Sequence, residues 1–261
     1  METIKRDLLS ARSIGRMEHI AFVGGGGKTA LMFALAGDLL QAGCRVITTT
    51  TTKVWLREAS QAPCVISTIS DSSWYGKLKQ GLEKHKHVFV FARPLDSGKV
   101  EGIPPEVADR LSIYPGADHL ILEADGASGR PLKAPAPHEP VVPSTATLVV
   151  AVMGLEALEK PLDKRVAFRV SLFEKLTGLG PGETITRDFL VKVFESPEGL
   201  FKETPAAARR IAFLNKADLL PDDRVARDLA DSLLRSRVAS VDRVVIGSAA
   251  KKEYLVIRKK T

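Results

Sequence analysis

The sequence predicts an α/β fold: a mostly parallel sheet with helices on both faces. Three observations predict it. Short apolar runs alternate with helical segments along the chain, as in successive βα units. A chain of 261 residues with 44% hydrophobic content can bury a full core. A run of four glycines, Gly24 to Gly27, joins the first apolar run to the first helical segment, where a tight turn needs residues that accept positive φ.

The elements follow in order. Residues 19–23 form the first strand. Residues 29–41 form a helix with Ala30, Leu31, Phe33, Ala34, Leu35, Leu39 and Leu40 near helical spacing, stopped by Gly43. Residues 45–47 begin a second strand that runs into the threonines of 48–53. Short strands at 64–66 and 87–91 flank a helix near 72–84, with His85 and His87 read as solvent-side. Asp96-Ser97-Gly98-Lys99 is a turn. Pro104-Pro105 opens a short helix with Val107 and Leu111 inward. A buried strand at 119–122 ends at Glu123-Ala124-Asp125-Gly126, and residues 131–143 hold too many prolines for a regular element. Strands follow at 147–152, 211–214 and 243–246, with helices at 171–177, 188–195 and 222–236. No internal repeat or low-complexity linker divides the chain. The expected organisation is a leader helix or loose tail at 1–16, then one domain over 17–261 with a helical insertion at about 155–205.

Composition narrows the function classes. Apolar stretches break within about ten residues, short of a membrane span, and the first 16 residues carry no apolar signal core. Cys44 and Cys64 border apolar runs and read as reduced, buried small hydrophobes. A cytoplasmic protein without membrane contact is therefore expected. The net charge is +7, but Lys and Arg are scattered and no aromatics interleave with them. Nucleic acid is not expected as a main partner. The excess suits attraction for an anionic nucleotide.

Gly24, Gly25, Gly26, Gly27, Lys28 and Thr29 read as a phosphate-binding loop of the P-loop NTPase type. The first glycine of the full motif is replaced by Phe22, a departure that a four-glycine run can absorb. N–H groups of Gly25 to Thr29 would face the phosphates at a helix N-terminus. Lys28 would reach the β/γ oxygens, and Thr29 would ligate Mg²⁺. Glu123 and Asp125 end another strand and are both expected near that metal, the closer one left open. Lys28, Glu123 and Asp125 are the expected catalytic groups. The Glu123-x-x-Gly126 spacing resembles a stretch of metallochaperone GTPases serving hydrogenase and urease. No Cys-Pro-His element accompanies it, so a nickel role is not implied.

The opposite end of a nucleotide is addressed by Asn215-Lys216-Ala217-Asp218, which has the form of a guanine-reading motif. A carboxylate at Asp218 can accept two bonds from guanine N1–H and N2–H₂, which adenine cannot supply. Lys216 would lie over the base and Asn215 would brace the loop. Ser248-Ala249 resembles the element whose N–H meets guanine O6. GTP is the expected nucleotide, with ATP an open alternative.

At this point the chain resembles the YqeC-type family, accessory factors for selenium-dependent molybdenum hydroxylases. The resemblance covers most of residues 18–250. It rests on Val23 with the glycine loop, on Thr48 to Lys53, and on Glu123-Ala124-Asp125-Gly126-Ala127. It rests further on Arg130-Pro131-Leu132-Lys133-Ala134-Pro135 and His138-Glu139-Pro140-Val141-Val142-Pro143. It implies a P-loop NTPase-like fold and a part in maturing the molybdenum cofactor of such a hydroxylase. Either the hydroxylase or its cofactor would then be a partner. Arg130, Lys133, His138 and Glu139 form the expected acceptor or partner surface; His138 and Glu139 as a plain surface turn is the alternative. The threonines of 48–53 read equally as mobile residues near a γ-phosphate or as a β-branched strand end. The leading expectation is a nucleotide-switched maturation factor that is a slow GTPase, because no arginine finger or water-positioning glutamine is evident. A small-molecule kinase and a nucleotide-gated binding module without turnover are the alternatives.

Overall fold

The computed structural model describes residue 15, residues 17–258 and the backbone of Ile4–Lys5. The rest of the expected leader at 1–16 lies outside the described residues. In chain order the first half runs β1 (Ile4–Lys5), β2 (His19–Gly24), α1 (Lys28–Gln41), β3 (Val46–Thr50), β4 (Lys53–Trp55), α2 (Leu56–Ala59), β5 (Val65–Ser67), α3 (Trp74–His85), β6 (His87–Phe91), β7 (Arg93–Pro94), β8 (Lys99–Glu101), α4 (Pro105–Ser112) and β9 (His119–Glu123). The second half runs β10 (Leu132–Lys133), β11 (Leu148–Gly154), β12 (Ala167–Phe168), α5 (Val170–Thr177), α6 (Arg187–Glu195), β13 (Arg209–Asn215), α7 (Arg224–Arg235), β14 (Arg243–Ser248) and β15 (Glu253–Arg258).

One sheet organises the molecule, in the order β1-β15-β14-β13-β11-β2-β9-β3-β6-β5. Every neighbouring pair from β14 to β5 is parallel, and only the β14–β15 and β15–β1 pairs are antiparallel. This is the α/β architecture expected of a P-loop NTPase-like chain. Alternation along the strands sends neighbours to opposite faces. In β2, Ile20 and Phe22 join α1 residues Leu31, Met32 and Leu35 in one core layer. Ala21 and Val23 join the second layer, where Leu78 of α3, Leu111 of α4, Phe189 of α6 and Leu233 of α7 cover the other face. Helix ends obey local chemistry: Thr186 accepts a bond from the Phe189 N–H to start α6, and Gly178 ends α5 in the left-handed region.

Sequence reasoning missed the short elements β1, α2, β10 and β12, with β10 inside the proline-rich segment read as having no regular element, and two larger parts. One is the small antiparallel sheet β4-β8-β7; its strands have two or three residues, too few for periodicity to register. The other is strand β15, masked by Lys251, Lys252 and Arg258, although Tyr254 and Ile257 are buried. Two readings are corrected. Thr48, Thr49 and Thr50 are fully buried in β3, bonded to the His87 ring, the Val90 carbonyl and the Glu123 carbonyl. They are strand interior, not mobile residues. His87 is buried rather than solvent-side, because it opens a central strand and its Nε2 lies 2.9 Å from Thr48 Oγ1. Among the described residues no helix is long and apolar enough to cross a membrane.

Burial holds the His19 and His87 imidazoles neutral, with pKa values pushed down from 6.5 to about 4. The unfolded chain therefore takes up protons between those values that the native state refuses. The stability associated with the neutral rings is complete above 6.5 and falls as the pH drops toward 4. Each ring accounts for roughly 3 kcal/mol of that loss. Denaturant melts between pH 7 and 4 should show this decline, and a His87→Gln variant should flatten it. An unchanged slope in the variant would refute the assignment.

Candidate functional site

Strand β2 delivers its last residues to the carboxyl edge of the sheet, where ligands bind in open α/β folds. The glycine loop there is stitched to its neighbours. The Gly25 N–H donates to the Val152 carbonyl and the Gly26 N–H to the Arg130 carbonyl, each at 2.9 Å; the Gly154 N–H meets the Pro131 carbonyl at 3.0 Å. Gly24 and Gly26 have φ of +93° and +78°, and a Cβ on either would fall 2.3 Å from backbone atoms of Val152 or Gly154. Only glycine fits such close approach. Gly25 and Gly26, expected to point N–H groups at a ligand, have spent them on backbone carbonyls. The N–H groups of Gly27, Lys28 and Thr29 make no hydrogen bond among the described residues and stand at the N-terminus of α1.

A line of alternating charges runs from this helix start. Thr29 Oγ1 donates to Glu123 Oε2 at 2.7 Å. Lys28 Nζ lies 3.4 Å from Glu123 Oε1 and 3.2 Å from Asp125 Oδ1, and donates to the Gly24 carbonyl at 2.6 Å. Both Asp125 oxygens accept from the Gly24 N–H, at 3.1 and 3.0 Å. Lys133 Nζ sits 3.3 Å from Asp125 Oδ2 and 2.8 Å from Glu139 Oε2, and Arg169 Nη1 pairs with the same Glu139 oxygen. Three cations alternate with three carboxylates. Burial opposes the charge on Lys28, but Asp125 and Glu123 outweigh it and raise its pKa. Burial dominates at Glu123, raising its pKa, and at Lys133, lowering it. Glu139 is held down to about 2: burial would raise it, but Arg169 and Lys133 prevail.

These contacts separate the two acids. Glu123 is beside Thr29, and a hydroxyl with a carboxylate oxygen is a donor set that suits Mg²⁺, which takes only one or two protein carboxylates. Asp125, expected as a second metal ligand, has its oxygens occupied by Gly24, Lys28 and Lys133 and instead braces the loop. Lys28 itself is buried, at 4% exposure, and not the exposed loop side chain that the motif suggests.

At the base end, Asn215 bridges two loops: its Nδ2 donates to the Gly26 carbonyl at 2.7 Å, and its Oδ1 accepts from the Ala249 N–H at 3.1 Å. Within the Ser248-Ala249 element the Ala249 N–H is thus engaged by Asn215. Ser248 is buried, and its Oγ accepts from the Lys251 N–H at 3.2 Å, closing the turn. Lys216 holds a left-handed backbone and pairs with Glu156. Asp218 is exposed and makes no hydrogen bond or ion pair among the described residues.

A family model described as YqeC protein matches residues 20–171, more than half of the chain. The chain belongs to the YqeC family. It is also 37% identical over 197 residues to the Escherichia coli (strain K12) protein called Uncharacterized protein YqeC, covering 76% of this chain and 75% of that one. The matched stretch of the YqeC model contains the glycine loop and every member of the charge line, through Arg169. Residues 215–218 and 248–249 lie beyond it.

In this YqeC-family chain the segment after Asp125 packs directly on the glycine loop through the Arg130 and Pro131 carbonyls. Its four expected surface residues divide. His138 is exposed and, with Glu139, Thr51 and Thr52, lines a cleft of about 350 Å³. Arg130 is half-buried and bonds the Lys164 and Ser128 carbonyls. Lys133 is not at the surface at all: it is 1% exposed inside the charge line. Glu139 is buried and orients Lys133 and Arg169. Sequence reasoning missed Arg169 and Glu156. No motif marks either, because each is placed by a partner distant in sequence.

Proposed function

We propose that this YqeC-family chain binds a nucleoside triphosphate with Mg²⁺, preferring guanine, and serves as a nucleotide-switched maturation factor for a selenium-dependent molybdenum hydroxylase. The observation that carries the nucleotide reading is the start of α1. Unbonded N–H groups, the Lys28 ammonium and the Thr29–Glu123 pair converge there at the carboxyl edge of a parallel sheet. Without ligand, Lys28 neutralises Asp125 and Glu123. A phosphate group would compete for it, and Lys28 would turn toward the β/γ oxygens. Thr29 and Glu123 would hold Mg²⁺, which neutralises phosphate charge when bound. Asp125 stays on the Gly24 N–H and keeps the loop in shape. Turnover by this set alone is slow, since no residue of the site is assigned to orient a water. The maturation role rests on family membership and on the likeness of the 123–143 series. The cleft of Thr51, Thr52 and His138 supports a second reading, a small-molecule kinase, which acceptor-dependent consumption of GTP would distinguish from a switch.

Guanine preference rests on Asp218, an exposed carboxylate free to accept two bonds. GTP·Mg²⁺ should raise the melting temperature more than ATP·Mg²⁺ does. An Asp218→Ala variant should bind GTP about 100-fold more weakly, and Asp218→Asn should shift preference toward xanthine. Equal stabilisation by ATP and GTP in the parent would remove the guanine reading. No stabilisation by either would remove the nucleotide reading itself.

A further inference from the structure

A cavity of about 650 Å³ lies beside Arg169, at the end of the charge line, a volume typical of small-molecule pockets. Leu162, Phe168 and Val170 give it an apolar wall, and Arg130, Lys164 and Arg169 line it with cations. Its one acid, Asp163, is already engaged, accepting from the Arg165 Nε and backbone N–H at 2.7 and 2.8 Å, so it does not cancel them. The Arg169 guanidinium sits 4.7 Å from the centre of the Phe168 ring, a stacked pair of the kind that receives a flat ligand against an aromatic or guanidinium plane. Arg169 gives Nη1 to Glu139, which orients the group and leaves its other N–H donors to meet an anion. Val170 and Ser171, at the start of α5, also line the cavity, and that helix has no side-chain cap. Its first N–H groups therefore add to the positive field.

We propose that this cavity binds a small planar anion, an apolar ring system carrying a carboxylate, sulfonate or phosphate group. The ring lies against Phe168 while Arg130, Lys164 and Arg169 hold the charge. The site does not require the nucleotide reading. If both hold, ligand contact with Arg169 is felt by Lys28 through Glu139, Lys133 and Asp125, since Glu139 and Asp125 are each shared between two cations.

The full chain should be titrated with 1-anilinonaphthalene-8-sulfonate, followed by fluorescence, against the uncharged N-phenyl-1-naphthylamine. Saturable binding of one equivalent of the sulfonate is expected, about tenfold tighter than the neutral probe. Lys164→Glu should weaken it by about tenfold through charge, and Ser171→Trp should block it by filling the space. Both positions are exposed, so the melting temperature should hold. Equal affinity for the two probes, or sulfonate binding unchanged in both variants, overturns the proposal. A Lys28→Ala chain should keep the sulfonate while losing GTP. Retention of the sulfonate by a parent that GTP never stabilises would count against the nucleotide site alone and for the cavity.

Discussion

A Lys133→Ala variant is expected to melt roughly 10 °C below the parent. Lys133 is almost wholly enclosed and is the cation shared by Asp125, at 3.3 Å, and Glu139, at 2.8 Å. Its removal leaves two buried carboxylates with one neutralising partner fewer on each side. Breaking a buried ion pair in this way costs about 3–5 kcal/mol. The cost is that of stranded charge, not of the pair's own attraction, and this distinction can be measured. A Lys133→Met, Glu139→Gln double variant removes the lysine together with one carboxylate and should recover a good part of the loss. A thermal or denaturant melt decides it. If Lys133→Ala melts within about 2 °C of the parent, or the double variant is no better than the single, the charge line is not a structural element.

A Lys28→Ala variant should lose the GTP·Mg²⁺-dependent rise in melting temperature, corresponding to an affinity lower by about two orders of magnitude. Viewed as a loop residue, Lys28 would be silent in the absence of ligand. Its burial between Glu123 and Asp125 implies otherwise. The ligand-free variant should also melt several degrees lower, because Glu123 loses its cation and Asp125 one of its two. The two effects are separable: the difference between melts with and without nucleotide reports binding, and the melt without nucleotide reports the ion pairs. A variant that GTP stabilises as much as the parent would exclude Lys28 from phosphate binding, whatever its basal stability.

Much of the fold was legible from local pattern. The apolar runs of β2, β9, β11, β13 and β14 and the periodicity of α1 each lie within a few residues, and a buried parallel strand needs no partner to show its character. β4, β7 and β8 are too short to carry a period, and β15 is a half-exposed antiparallel strand hidden by the lysines before it and its terminal arginine. The candidate site divides along the same line. Gly24 to Thr29 announce a tight turn because glycine's tolerance of positive φ is a property of the residue itself.

The sequence by itself determined the succession of strands and helices, the glycine loop at the first strand–helix junction and the acids at the end of β9. Tertiary structure alone decided what those groups do to one another. It put Asp125 on the Gly24 N–H, 101 positions away, and Asn215 on the Gly26 carbonyl, 189 positions away. It committed the Ala249 N–H to Asn215, took Lys133 out of water and brought Arg169 to Glu139. The physical reason is that a lysine or arginine is ordinarily solvated and reads as surface. Only the strand order, with β9 beside β2 and β11 on its other side, gathers enough opposite charge in one place to hold such groups inside.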